Sequence, residues 1–91
     1  MTVDRMFIRR DGWLTSQIDD DLIMMNAEHE YYLNLSGSGG RIWELLETPC
    51  SLTDLCHVLA GEYDITPDAA RPEVSAFLEH MLQQKAIDVA S

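Results

Sequence analysis

Basic residues are scarce in this chain. Six Lys and Arg stand against 16 Asp and Glu, giving a formal net charge of −10. Non-specific affinity for polyphosphate comes from Lys and Arg displacing counterions, so this sign argues against nucleic acid. It argues equally against an anionic membrane surface. An acidic domain prefers a neutral or basic partner. Cysteine is scarce too: Cys50 and Cys56 are the only ones. Two thiols make no disulfide framework and read as reduced. Long apolar runs are missing. No segment approaches the ~20 residues of a membrane span. Met1 to Arg10 mixes Asp4, Arg5, Arg9 and Arg10 with apolar residues and lacks the apolar stretch of a secretory signal. The expectation is a cytoplasmic protein.

Metal and catalytic constellations are also absent from the pattern. His29, His57 and His80 are isolated, without Cys-x-x-Cys or His-x-x-x-His spacing. Asp19-Asp20-Asp21 lacks the Gly and distal Glu of a calcium loop and reads as a solvated turn. Cys56 and His57 are sequence neighbours, so on a helix they point roughly 100° apart and cannot pair. Cys56 lies on an apolar stripe and reads as a core thiol. Cys50 stands just before a capping Ser, with no third group in reach. No enzyme, metal or cofactor is expected.

What is present suits one small domain. At 91 residues, 46% of them apolar, the chain can hold a single modest core. Trp13 to Ile18 follows the Asp11-Gly12 turn signal and reads as a strand, which Met6-Phe7-Ile8 extends beyond a bend. Leu22 to Met25 is an apolar run of strand length. Asn26 to His29 makes a tight connection, since Asn tolerates left-handed backbone. Glu30 to Leu35 follows as a third strand, with Tyr31, Leu33 and Leu35 on one face. The order predicts a three-stranded antiparallel meander.

The period then changes. Ser36 can cap a helix whose first turn holds Gly37, Gly39 and Gly40, each costing about 1 kcal/mol relative to Ala in a helix. The glycines read as tight packing against the sheet. Ile42, Trp43, Leu45 and Leu46 supply the apolar stripe, and Thr48-Pro49 ends it. Ser51-Leu52-Thr53-Asp54 resembles a capping box, with Asp replacing Glu. The second helix is expected to stop at Gly61. Thr66-Pro67-Asp68 starts a third helix running to about Gln84. Pro72 lies several residues inside and predicts a kink or a late start. Ala86 to Val89 adds a short extended segment.

Three helices beside a small sheet is the inventory of a winged helix-turn-helix, an α+β fold. A DNA-reading helix needs Arg and Lys. The third helix offers Asp68, Glu73 and Glu79 against Arg71 and Lys85. Peptide capture is the other reading. An edge strand presents unpaired N–H and C=O groups that an extended peptide can match. Tyr31 and Tyr32 suit an interface. Phe77, Leu78, Met81 and Leu82 give the third helix more apolar residues than one contact face needs. These residues either line a groove or fill the domain's own core, and pattern alone leaves both open.

The order of motifs resembles the PqqD-like family. Leu22-Ile23-Met24-Met25, Tyr31-Tyr32-Leu33-Asn34, Ser36-Gly37 and Arg41-Ile42-Trp43-Glu44-Leu45-Leu46 carry the likeness. Ser51-Leu52 to Leu59, Glu62-Tyr63-Asp64-Ile65 and Val74-x-x-Phe77-Leu78 continue it in register, so it covers residues 13 to about 87. The resemblance implies a stand-alone recognition element for ribosomally made, modified peptides. Such elements bind a precursor leader as an added antiparallel strand beside the third strand, lodged against the third helix. Carried onto this sequence, that implies Glu28, His29, Glu30, Tyr31, Tyr32 and Leu33, with Val74, Phe77, Leu78 and Met81. The Tyr-Tyr-x-Asn strand and Ile-Trp-Glu-Leu-Leu helix look closest to the lasso-peptide type. That type serves a leader peptidase (a cysteine protease) and a cyclase. The alternative client is pyrroloquinoline quinone synthesis with a radical enzyme. The departures are Pro72 and Ser38-Gly39-Gly40. A gel shift at low salt tests the DNA reading, and the expected outcome is that duplex migrates unretarded.

Overall fold

Strand β1 (Met6–Arg9) ends at the Asp11-Gly12 turn, where Gly12 adopts φ 93. Its carbonyl accepts the Ala27 N–H at 2.9 Å. Beyond it, β2 (Trp13–Ile18), β3 (Asp21–Asn26) and β4 (Tyr32–Leu35) form the expected antiparallel meander, in the order β2-β3-β4. The computed structural model describes residues 5–90. Ile18 pairs with Asp21, leaving a two-residue turn in which Asp19 takes φ 55. The Gln17 amide staples that turn by donating to the carbonyls of Asp19 and Asp21, both at 3.1 Å.

The connection from β3 to β4 differs from the expectation. Asn26 is not the left-handed residue. Its side-chain oxygen accepts the N–H of Glu28 at 3.0 Å and of His29 at 2.8 Å, which is the local turn that Asn side chains favour. Glu30 takes the left-handed conformation instead, at φ 55. Glu30 and Tyr31 together oppose Asn26, like a bulge whose usual Gly is a Glu here. The strand therefore begins at Tyr32 rather than Glu30.

Met6-Phe7-Ile8 does not extend β2. A second sheet has the order β5-β1-β6, with β5 at Cys50–Ser51 and β6 at Ile87–Val89. Phe7, 4% exposed, and Ile87, 1% exposed, are thereby carried into the core. The expected tail segment exists, but it pairs with β1: Phe7 lies opposite Val89 and Arg9 opposite Ile87. Arg10 N–H adds a bond to the Ala86 carbonyl at 2.8 Å, and Ala90 N–H one to Met6 at 2.7 Å.

Helix α1 (Gly39–Leu45) starts later than expected, with Ser38 rather than Ser36 at the cap position. Gly37 stands at φ 61 just before it, a conformation that suits glycine. Gly39 permits close approach. A Cβ there would meet Phe77 Cε1 at 3.2 Å and Leu35 Cβ at 3.3 Å. Gly39 thus trades helix propensity for contact with β4 and the third helix, and Gly40 for contact with Leu22 of β3.

Helix α2 (Leu52–Tyr63) has the full capping box: Asp54 N–H donates to Ser51 Oγ at 3.0 Å and Ser51 N–H to Asp54 Oδ2 at 3.1 Å. It does not stop at Gly61. The Arg41 guanidinium grips Glu62 through Nε and Nη2 at 2.9–3.1 Å, which holds the last turn. The helix ends at Asp64, left-handed at φ 56. That pairing keeps the Glu62 carboxyl below its ordinary range. Its contribution is complete above that range and is lost as pH falls through the lowered value.

Helix α3 (Pro67–Gln83) starts where Thr66 predicts, with Ala69 N–H donating to Thr66 Oγ1 at 3.1 Å. There is no late start. The helix continues through Pro72, whose missing N–H removes a bond to the exposed Asp68, where water can replace it. The core between sheets and helices centres on Met24, Ile42, Leu46, Leu55, Val74, Met81 and Ile87. Ser51→Ala breaks the capping box at a buried position. It is expected to cost about 1–2 kcal/mol, read as a lowered midpoint in urea with an unchanged slope.

Candidate functional site

The Asn26 N–H donates to the Tyr31 carbonyl at 2.8 Å, and the register sets Met25 opposite Tyr32. Antiparallel ladders alternate bonded and non-bonded pairs. Leu33 and Leu35 therefore bond toward β3, and the N–H and C=O of Tyr32 and Asn34 point the other way. No described strand pairs with that side: β4 neighbours β3 alone. The last described strand is engaged on β1. Among the described residues the edge is open.

A cleft of about 200 Å³ runs beside this edge, between β4, the start of α1 and the face of α3. Leu35 and Ile42 form its buried floor, with half-buried Phe77 on one wall. Asn34, Ser38, Glu73 and His80 give it a polar rim. Glu73, Phe77 and His80 fall at helical spacing on one face of α3. At the far end, Tyr31 Oη donates to the Gln84 carbonyl at 2.6 Å, and its ring meets Trp13 edge-on with centroids 5.4 Å apart. This tie fixes the end of α3 to the start of β4 and so sets the width of the cleft.

The residues singled out from sequence fall into three groups. Tyr32 and Leu33 lie on the open strand, Tyr31 just before it, and Phe77 faces it across the cleft. Glu28, His29 and Glu30 lie in the exposed turn before β4, because the bulge delays the strand. Val74, Leu78 and Met81 are buried, at 0%, 3% and 0% exposure. They back α3 against the core and offer no free surface to the cleft. Sequence reading missed Asn34, Ile42, Ser38 and His80 as lining residues. The i, i+3 spacing of Phe77 and His80 was the available signal.

The thiols show no nucleophilic setting. Burial pushes both Cys50 and Cys56 above their ordinary pKa. Cys50 Sγ donates to the Leu45 carbonyl at 3.3 Å, and Cys56 is fully buried. Among the described residues no group of three His, Cys, Asp or Glu is placed to hold a metal ion. No described helix is long and apolar enough to cross a membrane.

Residues 21–87 match the family described as coenzyme PQQ synthesis protein D (PqqD). The chain belongs to the PqqD family. The match takes in both the open strand and α3. No curated protein matches this PqqD-family chain. Two solved structures share its fold. One, TbiB1 in complex with the TbiA(beta) leader peptide, superposes with a TM-score of 0.78 at 20% identity, covering 92% of this chain and 98% of that one. The other, lasso peptide synthetase B1 complexed with the leader peptide, gives 0.75 at 18% identity, covering 90% and 96%. The fold is thus α+β, with three helices and three-stranded antiparallel sheets among the described residues, as the winged-helix-like expectation had it.

Tyr31→Phe keeps the ring against Trp13 and removes only the hydroxyl from Gln84. The expected loss is about 1 kcal/mol, measured by thermal unfolding. The far-ultraviolet spectrum should not change.

Proposed function

We propose that this chain is a non-catalytic, cytoplasmic adaptor of peptide modification. It captures the leader of a ribosomally made precursor as an added strand on β4 and presents it to a leader peptidase of lasso-peptide synthesis, with a cyclase downstream. The observation that carries this reading is the unpaired β4 edge beside an apolar-floored cleft. Main-chain bonds to Tyr32 and Asn34 supply sequence-tolerant affinity, and side chains reaching Leu35, Ile42 and Phe77 supply selection. An extended leader running antiparallel to β4 carries its N-terminal end toward Ser36 and its C-terminal end toward Tyr31. The peptide to be modified then leaves past Trp13. Holding the leader raises the local concentration of that peptide at the enzyme, which needs no catalytic group on the adaptor. Both similar structures were solved with leader peptides bound, which supports this reading.

A second client has one observation in its favour, the PqqD family description itself. In that reading the same edge holds a pyrroloquinoline quinone precursor for a radical enzyme. Co-purification with the peptidase or with the radical enzyme separates the two.

The edge is tested with three variants and a labelled leader peptide of a lasso-peptide precursor. Tyr32→Pro removes an outward N–H that no ladder uses, so the domain stays folded. Phe77→Asp places a charge on the cleft wall. Each is expected to raise Kd by about tenfold or more. Leu33→Pro removes an inward, ladder-forming N–H and should instead lower stability by about 1–3 kcal/mol. Unchanged affinity in folded Tyr32→Pro and Phe77→Asp would refute the reading.

A further inference from the structure

A second, larger hollow adjoins the cleft. It measures about 690 Å³ and lies between the β2–β3 turn, the end of α2 and the start of α3. Leu59, Tyr63, Ile65 and Ala70 give it apolar walls, and Asp20, Glu73 and Gln17 stand at its margin. Tyr63 and Ile65 are 48% and 40% exposed, large apolar side chains left half uncovered. The left-handed turn at Asp64 sets both of them beside the hollow. Asp tolerates that backbone better than most residues.

The hollow and the cleft share two lining residues, Ser38 and Glu73. Ser38 Oγ donates to Glu73 Oε1 at 3.2 Å, so a single exposed hydrogen bond separates the two spaces. Among the described residues neither Asp20 nor Glu73 forms an ion pair with a Lys or Arg. The Gln17 amide hydrogens are committed to the turn carbonyls. The margin therefore carries two carboxylates without a cation, over apolar walls.

We infer that this hollow is a subsite for one arginine or lysine of the guest peptide, at a position N-terminal to the segment paired with β4. The inference rests on the strand-capture reading, which sets the guest's direction. An antiparallel guest that has passed Leu35 meets Ser36, Gly37 and Ser38 next, and Gly37 and Ser38 line the hollow. A long basic side chain matches both features of the space. Its methylenes cover Leu59, Tyr63 and Ile65 while its charged head reaches Asp20 and Glu73. An acidic side chain is repelled there. A short apolar one leaves the margin unused. The selection is electrostatic, so it weakens as salt rises.

The test displays a random library of 15-residue peptides, selected in parallel on the full chain, on Tyr32→Pro and on the double variant Asp20→Asn/Glu73→Gln. Both substitutions in the double variant are isosteric and at exposed positions, and the side-chain amide that replaces the Glu73 carboxylate keeps an acceptor for Ser38. The expected result is a set of binders that needs the intact edge and is enriched in Arg or Lys ahead of the paired segment. In the double variant that enrichment disappears. One enriched peptide, titrated on both proteins, loses affinity by about fivefold at low salt, the upper range for an exposed pair. Binders that need the edge but show no basic preference would overturn the subsite and leave strand capture standing. So would a basic preference that survives in the double variant. Basic binders indifferent to Tyr32→Pro would show a separate cation site and overturn its continuity with the cleft. A selection with no binder dependent on Tyr32 would overturn strand capture and the subsite together.

Discussion

The pairing of the C-terminal strand decides what the rest of the molecule can do. β6 is sewn to β1, on the sheet away from the meander. If it paired with β4 instead, the edge would be closed and the cleft beside α3 filled. The same pairing places the end of α3, since Ala86 N–H bonds back to Met81 at 2.9 Å and Lys85 turns left-handed at φ 58. The helix is thus fixed at its far end by β6 and by Tyr31, and at its near end by the Thr66 cap. Between those ends Val74, Leu78 and Met81 pack the helix on the core, so it keeps its distance from the outer edge of β4. That distance is the cleft.

Much of this was legible. The turn signals, the apolar run at residues 22–25 and the Ser51 and Thr66 caps are local chemistry, and local chemistry is what a sequence displays. The second sheet was not. β5 has two residues and β6 three, too short to show a period, and their pairing with β1 depends on contacts across nearly the whole chain. The misplaced end of α2 has a similar origin. Gly61 is a natural stop locally, but Arg41 holds the chain beyond it through Glu62, twenty-one positions along.

The candidate site was half legible for a related reason. Phe77 and the Tyr32–Leu33 strand were visible as apolar and aromatic residues in the right elements. Which face of α3 meets solvent depends on how the helix rolls on the core. Val74, Leu78 and Met81 share the apolar stripe with Phe77, and only the packing of Gly39 against Phe77 shows where the stripe leaves the interior. Gly39, costly for its own helix, marks that place.

The shortness of β4 has a kinetic consequence. Only Tyr32 and Asn34 turn their main-chain groups outward, so a visiting strand finds two donors and two acceptors. At about 0.5–1.5 kcal/mol net for each bond, the backbone grip amounts to roughly 2–6 kcal/mol before ordering costs. Side-chain anchors must supply the remainder, and differences among visitors then appear mainly in how fast they leave. In the proposed role, a brief residence lets one captured strand be released before the next arrives.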